Sequence, residues 1–317
     1  MSYPAVMLAL LVVNPHATAT TAAGRDVLAH ALASDVKLEV LETSYRGHAA
    51  DAAAQAVADG FDLVVAHGGD GTVNEVVNGL MRAGNSAVDG AVEGGRAMLG
   101  VVPGGSANVF AGALGLPRDP VEATHRLLQA IEAGRSRSVG LGRVDDRWFT
   151  FNAGVGWDAE VVAAVDRRRR KQASPVLYAR TALGHYAREA LRAPELTVTL
   201  PGEEPVDGVR MAVVCNTDPW TYLGSRPLRL IPTCSFDRGL GLFALRSLAA
   251  PTVLRHVGQV VRGAKQPHGK HLMLRDDLSH VRVTSDVPVR VQVDGDLLGE
   301  RRSVNFVSVP DALRVAV

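Results

Sequence analysis

The stretch VVAHGGDGTVNEVVNGL, Val64 to Leu80, passes from an apolar run through three glycines and an aspartate into residues with helical spacing. At a helix start the first backbone N–H groups have no helical partner, and the aligned peptide dipoles add partial positive charge. Glycine lets an anion approach those groups closely. The chemistry open to Gly68, Gly69, Asp70, Gly71 and Thr72 is therefore phosphate binding, with a hydroxyl from Thr72. A purely structural reading stands beside it, because Thr72 and Glu75 have the Thr-x-x-Glu spacing of a capping box. A plain turn needs one glycine; this loop has three around a carboxylate.

Two more strand ends carry similar residues. Met98–Val102 leads into Pro103-Gly104-Gly105-Ser106-Ala107-Asn108, and the first apolar run ends in Asn14-Pro15. In a parallel sheet such loops gather at the carboxyl edge, where ligands bind. Other nucleotide motifs are missing. GAKQPHGKH, Gly263–His271, is one residue too long for a P-loop and ends in His271. No kinase H-R-D or D-F-G string occurs. GVGWDA, Gly154–Ala159, mimics G-x-G-x-x-A without the acidic strand that should follow. GGSAN is no nucleophile elbow, since Asn108 replaces the last glycine. His16, His67, His268 and His271 lack H-E-x-x-H spacing, so no metal site is read from side chains.

Periodicity predicts the elements that hold these loops. Strands are expected at Val6–Val13, Lys37–Leu41, Phe61–Ala66 and Met98–Val102, with helices at Thr21–Ala33, His48–Ala58, Thr72–Met81 and Pro120–Ala133. Alternation of this kind indicates a parallel α/β sheet. From about Ser138 the segments are mostly β, Trp148–Asn152 among them, broken by a helix-rich excursion over Asp158–Arg192. The division falls near Arg137, giving an α/β domain over 1–137 and a β-rich domain over 138–304. The segment 305–317 is a candidate to pack back on the first domain. The chain has 317 residues, 47% hydrophobic and 21% charged, with net charge +1. That is a folded protein with no global nucleic-acid footprint. Its two cysteines, Cys215 and Cys234, make neither a disulfide framework nor a Cys-based zinc site, and they fit buried thiols in a reducing cytoplasm. The opening MSYPAVMLALLVVNP lacks the charged flank and cleavage site of a signal peptide and is too short to span a bilayer.

Four motifs, GGDGTVNEVVNGL, PGGSANVFAGALGLP, FNAGVGWDAEVV and VQVDGD, occur in the order found in the diacylglycerol kinase catalytic family. The chain resembles that family from Asn14 to its end. Bacterial lipid kinases and sphingosine and ceramide kinases belong to it; NAD kinases and phosphofructokinases are more distant and share the glycine-Asp-Gly loop. The resemblance implies an α/β nucleotide-binding domain (NAD kinase/phosphofructokinase-like) plus a β-sandwich-like second domain, with ATP in the cleft between. It implies that Asn14, Pro15, His16, Ala17 and Thr18 line the phosphates. Thr43, then Gly69, Asp70, Gly71, Thr72, Val73, Asn74 and Glu75, continue the site, joined by Gly68, Gly105, Ser106 and Asn108. Ser106 stands where the family usually has threonine. Asp294 matches the catalytic general base, and Asp296 replaces the usual glutamate. Asp70 is the candidate to orient Mg²⁺ through water.

The same Asp294-Gly295 pair is also a hairpin-turn signal. One departure concerns a second metal. Family members with a structural magnesium near PTCSFDRGLGLF usually have Asp-Asp-Gly, whereas this chain has Asp237-Arg238. A guanidinium only donates, so that site is expected to be lost, with Arg238 supplying the charge. The run DRRRRKQ, Asp166–Gln172, with Tyr178 and Tyr186 after it, is either a solvated helix face or a contact for anionic lipid. Trp220 and Tyr222 are further candidates to meet a lipid chain. The implied activity is ATP-dependent phosphorylation of diacylglycerol or a related lipid. The implied location is cytoplasmic and peripheral to a membrane surface, without a transmembrane segment; a homodimer is one candidate state. The rivals are a soluble-acceptor kinase of the NAD kinase type and a non-catalytic lipid- or nucleotide-binding regulator.

Overall fold

The computed structural model describes residues 7–84, 97–160 and 193–317. The run Asp166–Gln172, Tyr178, Tyr186 and the excursion beyond Glu160 lie outside the described residues. The chain forms two compact units: Met1–Leu141 with Thr221–Arg226 and Pro310–Val317, and Gly142–Trp220 with Pro227–Val309.

In the first unit, β1 (Leu8–Val13), α1 (Ala22–Leu32), β2 (Lys37–Glu42), α2 (His48–Ala58), β3 (Leu63–Gly68), α3 (Asp70–Gly84), β4 (Met98–Pro103), α4 (Val109–Ala113) and α5 (Pro120–Glu132) follow in order. The strands are parallel in the order β2-β1-β3-β4, and Val315 pairs in parallel with Leu99 beyond β4. The strands are apolar because the sheet is covered. Ala9, Leu11, Val13, Leu63 and Val65 pack with Leu28 and Leu32 of α1 and Leu127 of α5. Thr21 caps α1 by accepting the Gly24 N–H at 3.0 Å. Asp119 caps α5, with Pro120 in its first turn.

The chain leaves β1 toward β2 on one side and returns to β3 on the other. That reversal makes the carboxyl ends of β1 and β3 a topological switch point, the place where open α/β sheets take ligands. Asn14 and the glycine loop stand there.

α3 begins at Asp70, two residues before the expected Thr72, so the glycine loop is itself the first helical turn. The capping-box reading is thereby overturned. Thr72 is already inside the helix, and the Glu75 carboxylate accepts N–H groups from Gly47 (2.9 Å) and Ala49 (3.3 Å). It caps α2, whose own N-cap, Gly47, offers no side chain.

The second unit holds β6 (Arg147–Phe149), β7 (Asn152–Gly156), β8 (Leu196–Thr199), β9 (Val206–Val209), β10 (Met211–Cys215), β13 (Leu240–Leu245), α6 (Ala250–Arg262), β14 (Leu272–Leu278) and β15 (His280–Val293). β5 (Arg137–Val144) and β16 (Asp296–Val315) each have residues in both units, and β11 (Thr221–Leu223) and β12 (Arg226–Leu228) form a separate two-stranded sheet. The main sheet runs β14-β13-β10-β7-β15-β16 with antiparallel neighbours. Its register breaks between Thr284 and Val289. Alternate residues face two cores. Ala212, Val214, Leu240 and Leu242 meet Leu196, Val283 and Phe306, which closes a sandwich. Val213, Cys215, Phe243 and Leu245 meet Ile231, Cys234, Leu248 and Val260 of α6. The expected strand Trp148–Asn152 is split at Thr150 and Phe151. α6 was not expected at all, although Pro251 near its start and Gly263 after its end, at φ +71°, are ordinary boundary signals. Cys215 and Cys234 are free and buried, and burial pushes the Cys234 thiol up to about 12.

α2 and α3 touch at Gly79, where an added Cβ would press into the Ala50 carbonyl oxygen and lie 2.8 Å from the Ala53 Cβ. Alanine is the better helix former by roughly 1 kcal/mol, yet overpacking costs about 1–3 kcal/mol. Gly79→Ala should therefore lower stability in urea denaturation; an unchanged or higher midpoint would show that the helices separate freely.

Candidate functional site

The first cluster is built from β-strand ends. Asn14 closes β1, donates through Nδ2 to Thr72 Oγ1 at 3.0 Å, and accepts the His16 N–H at 3.0 Å. Its backbone N–H reaches the His67 carbonyl at 3.0 Å. The β1 end is thus tied to α3 through side chains and to β3 through the backbone.

The two glycine loops lie against each other. Gly104 N–H donates to the Gly68 carbonyl at 2.7 Å. A Cβ on Gly105 would lie 2.6 Å from Gly69 Cα, and one on Gly104 would lie 3.0 Å from Gly68 Cα. Backbones that close leave no room for side chains. On Gly68 itself a Cβ would meet Thr72 Oγ1 at 2.6 Å. Gly104 and Gly105 are required by the loop-to-loop contact and Gly68 by Thr72, while a Cβ on Gly69 would lie 3.3 Å from Gly105 Cα, a tight contact.

Gly71 is different. It is exposed, and a Cβ there would meet nothing within 4 Å. Neither packing nor a positive φ requires glycine, which weakens the first turn of α3. The missing side chain leaves an open approach to backbone N–H groups ahead of the first bond into the helix, Val73 N–H to Gly69 C=O at 3.1 Å. That cradle fits a phosphate group. Pro15, His16, Thr18 and Ser106 are exposed.

Other expected residues have inner duties. Asp70 Oδ1 accepts the Phe110 N–H at 3.2 Å, in the first turn of α4. Asn108, left-handed at φ 50°, exchanges bonds with Gly105: Gly105 N–H to Oδ1 at 2.9 Å and Nδ2 to the Gly105 carbonyl at 2.8 Å. The Thr43 N–H holds the Val13 carbonyl at 2.8 Å, extending the β1–β2 pairing. Val73 and Asn74, expected to continue the site, point inward at 3% and 1% exposure. Glu75 faces α2. These three support the loop from behind. His67 is also buried, with Nδ1 3.2 Å from the Val102 carbonyl, and burial lowers its pKa.

The second cluster lies in the second unit. Asp294 (φ 48°) and Gly295 (φ 84°) are the two turn residues between β15 and β16, where Val293 pairs with Asp296. Left-handed backbone at both positions is what a two-residue hairpin of this twist needs. Among the described residues the Asp294 carboxylate accepts four hydrogen bonds. Thr150 N–H (2.7 Å) and Oγ1–H (2.8 Å) reach Oδ2, while Phe151 and Asn152 N–H, both at 3.0 Å, reach Oδ1. This is why the expected strand breaks at 150–151: its N–H groups serve a carboxylate. Burial pushes the Asp294 pKa up, and the four donors pull against it, with a net upward direction. Asp296 is half-buried, 3.6 Å from Arg147.

Sequence reasoning missed the network beneath this turn. Gln292 Nε2 donates to Asn152 Oδ1 (3.0 Å) and Asp158 Oδ2 (2.9 Å), and Gln292 Oε1 accepts the Gly295 N–H at 2.9 Å. A side chain on Gly154 would collide with the Asp158 carboxylate. The signal was present, since Asn152, Gly154 and Asp158 all lie in FNAGVGWDAEVV. Near PTCSFDRG, the Arg238 guanidinium lies 3.4 Å from Asp276 and 3.5 Å from Asp277. Its positive charge thus lies beside both carboxylates.

Fold and site together define a class: a parallel α/β unit with glycine loops at its switch point, followed by a β-sandwich. Solved structures share the fold. A putative diacylglycerol kinase from Bacillus anthracis str. Sterne matches with TM-score 0.74 at 18% identity, covering 99% of this chain and 98% of that one. A second structure from that organism, described in similar words, matches at 0.73 and 19%. Residues 8–144 match the diacylglycerol kinase catalytic domain, the family that the four motifs resemble. The chain is 28% identical over 258 residues to a diacylglycerol kinase of Bacillus subtilis (strain 168), covering 81% of this chain and 78% of that protein. It is 27% identical over 296 residues to a probable lipid kinase YegS-like of Stenotrophomonas maltophilia (strain K279a), covering 92% and 90%. The resemblance read from the four motifs is borne out.

Burial raises the Asp158 carboxyl from 3.8 to about 6, against the opposing hydrogen bond from Gln292. A raised acid pKa stabilises the fold fully below the unfolded value and loses that contribution as pH rises through the folded value. The gap corresponds to ~3 kcal/mol. Asp158→Asn should therefore match the wild type near pH 4 and exceed its melting temperature increasingly toward pH 7. A difference independent of pH would show that Asp158 does not titrate in this range.

Proposed function

We propose that this protein is an ATP-dependent lipid kinase that phosphorylates the hydroxyl of diacylglycerol or a related lipid alcohol. The family of residues 8–144 supports kinase chemistry, and the names of the full-length relatives support a lipid acceptor. The observation that carries the ATP reading is Gly71, a glycine that the fold itself does not need, at the open start of α3 beside Asn14 and Thr72. The β- and γ-phosphates would meet N–H groups there, with the hydroxyls of Thr18 and Ser106 available nearby on exposed loops. Magnesium accompanying the nucleotide supplies neutralisation of phosphate oxygens. Asp70, already holding the Phe110 N–H, would meet that magnesium through water.

In the reaction the lipid oxygen forms a bond to the γ-phosphorus, the bond to the bridging oxygen breaks, and ADP leaves. The hydroxyl proton needs a base, and Asp294 is proposed for it. A carboxylate has about four acceptor sites, and donors among the described residues use four on Asp294. One must be released. Three donors are backbone N–H groups; the fourth, Thr150 Oγ1–H, is on a rotatable group. The acceptor hydroxyl would replace it.

Four measurements test this reading. Purified protein with Mg²⁺, labelled ATP and a lipid extract should yield a labelled lipid. Label only in a water-soluble product, NAD being the first acceptor to try, would overturn the lipid assignment. Gly71→Ala should weaken ATP binding at least ~10-fold while the melting temperature holds or rises, since alanine favours the helix. Asp294→Asn should lower turnover about 10²–10⁴-fold and also destabilise the fold, because an amide turns N–H groups toward N–H groups. Thr150→Val separates the two effects: it should keep turnover within several-fold of wild type. A Thr150→Val enzyme as inactive as Asp294→Asn would mean that Asp294 only holds the 150–152 segment.

A further inference from the structure

α6 buries one face and leaves another exposed. Val253, His256 and Val260 turn toward the sheet, with the His256 ring edge-on to Phe243 at 5.9 Å between centroids. Leu254 and Val257 are 70% and 52% exposed. With Val261, half-buried, they stand at i, i+3 and i+7, one stripe along the helix. Arg255 and Arg262 each follow a stripe residue by one position, about 100° around the helix axis. Both are exposed. Lys265 and Lys270, in the segment that follows, are exposed as well.

The charge around this stripe is one-sided. Residues 239–275 contain six Lys and Arg and no Asp or Glu, in a chain of net charge +1. Arg275 is paired with Glu203 at 2.9 Å. Among the described residues Arg255, Arg262, Lys265 and Lys270 have no ion pair. An apolar stripe bordered by unneutralised cations suits a helix lying in the headgroup region of an anionic bilayer, with the apolar residues toward the acyl chains. A second copy is a poor occupant, because a self-complementary contact would set these cations against themselves.

We propose that α6 and the following segment through Lys270 form the surface by which this protein docks on an anionic lipid bilayer. The purpose of such docking rests on the lipid-kinase reading; its measurement does not.

The full-length chain is sedimented with vesicles of phosphatidylcholine alone and of phosphatidylcholine mixed with phosphatidylglycerol, without ATP. Binding to the mixed vesicles, weakened by added salt, is expected, with little binding to the neutral ones. The double variant Leu254→Ser/Val257→Ser and the double variant Arg255→Glu/Arg262→Glu should each bind at least ~10-fold more weakly. All four side chains are exposed, and the second pair leaves the apolar stripe intact. No vesicle binding by the wild type, or equal binding by both variants, overturns the proposal. A concentration-dependent dimer that Leu254→Ser abolishes would assign the stripe to a second copy and overturn it too. Phosphorylation of lipid dispersed in detergent is measured separately. Vesicle binding without lipid phosphorylation leaves the docking standing and removes the kinase reading; phosphorylation without vesicle binding does the reverse.

Discussion

The contact between the two glycine loops governs the first unit. Gly68 and Gly69 at the end of β3 meet Gly104 and Gly105 after β4 at a distance that leaves no room for a Cβ on Gly105 and little for one on Gly104. A side chain at Gly105 would force the loops apart. The Gly104 N–H would then leave the Gly68 carbonyl, and the start of α3 would swing on its strand. Asn14 would lose its line to Thr72. The anion-facing turn of α3 is thus held in place by backbone against backbone, which has no rotamers to lose. This explains a division of labour among glycines that look alike in sequence. Gly68, Gly104 and Gly105 permit the protein to touch itself, and Gly71 leaves a space that the protein does not fill.

The second unit solves a comparable problem with charge. A carboxylate at a hairpin turn gathers three successive N–H groups and a hydroxyl from residues far away in sequence. Gln292 ties the same turn from below to Asn152 and Asp158. Buried polar groups of this kind are stable only when satisfied together. The turn, the break between β6 and β7, and the Gly154–Asp158 contact therefore behave as one unit of structure.

Much of this was legible in the sequence because it is local. The parallel strands and their helices followed from apolar periodicity, with His48–Ala58 matching α2 at both ends. Asp294-Gly295 announced its hairpin. Long-range effects were not legible. Thr72 and Glu75 had capping-box spacing, but Glu75 caps a neighbouring helix, and nothing nearby in sequence names that partner. The donors to Asp294 lie 142–144 residues away. Val73 and Asn74 were carried into the site by their neighbours in the motif, although a helix that begins at Asp70 turns them inward. α6 escaped notice because its apolar residues divide between a buried face and an exposed one, which blurs the stripe that a core-facing helix shows.

The first unit takes back the end of the chain. Val315 pairs with Leu99, and the Ala316 N–H reaches the Leu99 carbonyl at 2.9 Å. During synthesis β4 leaves the ribosome long before Val315 does, and every residue of the second unit is made in between. The outer side of β4 must wait for its partner through that interval, as an unpaired strand edge open to wrong neighbours. The first unit begins first and is completed last.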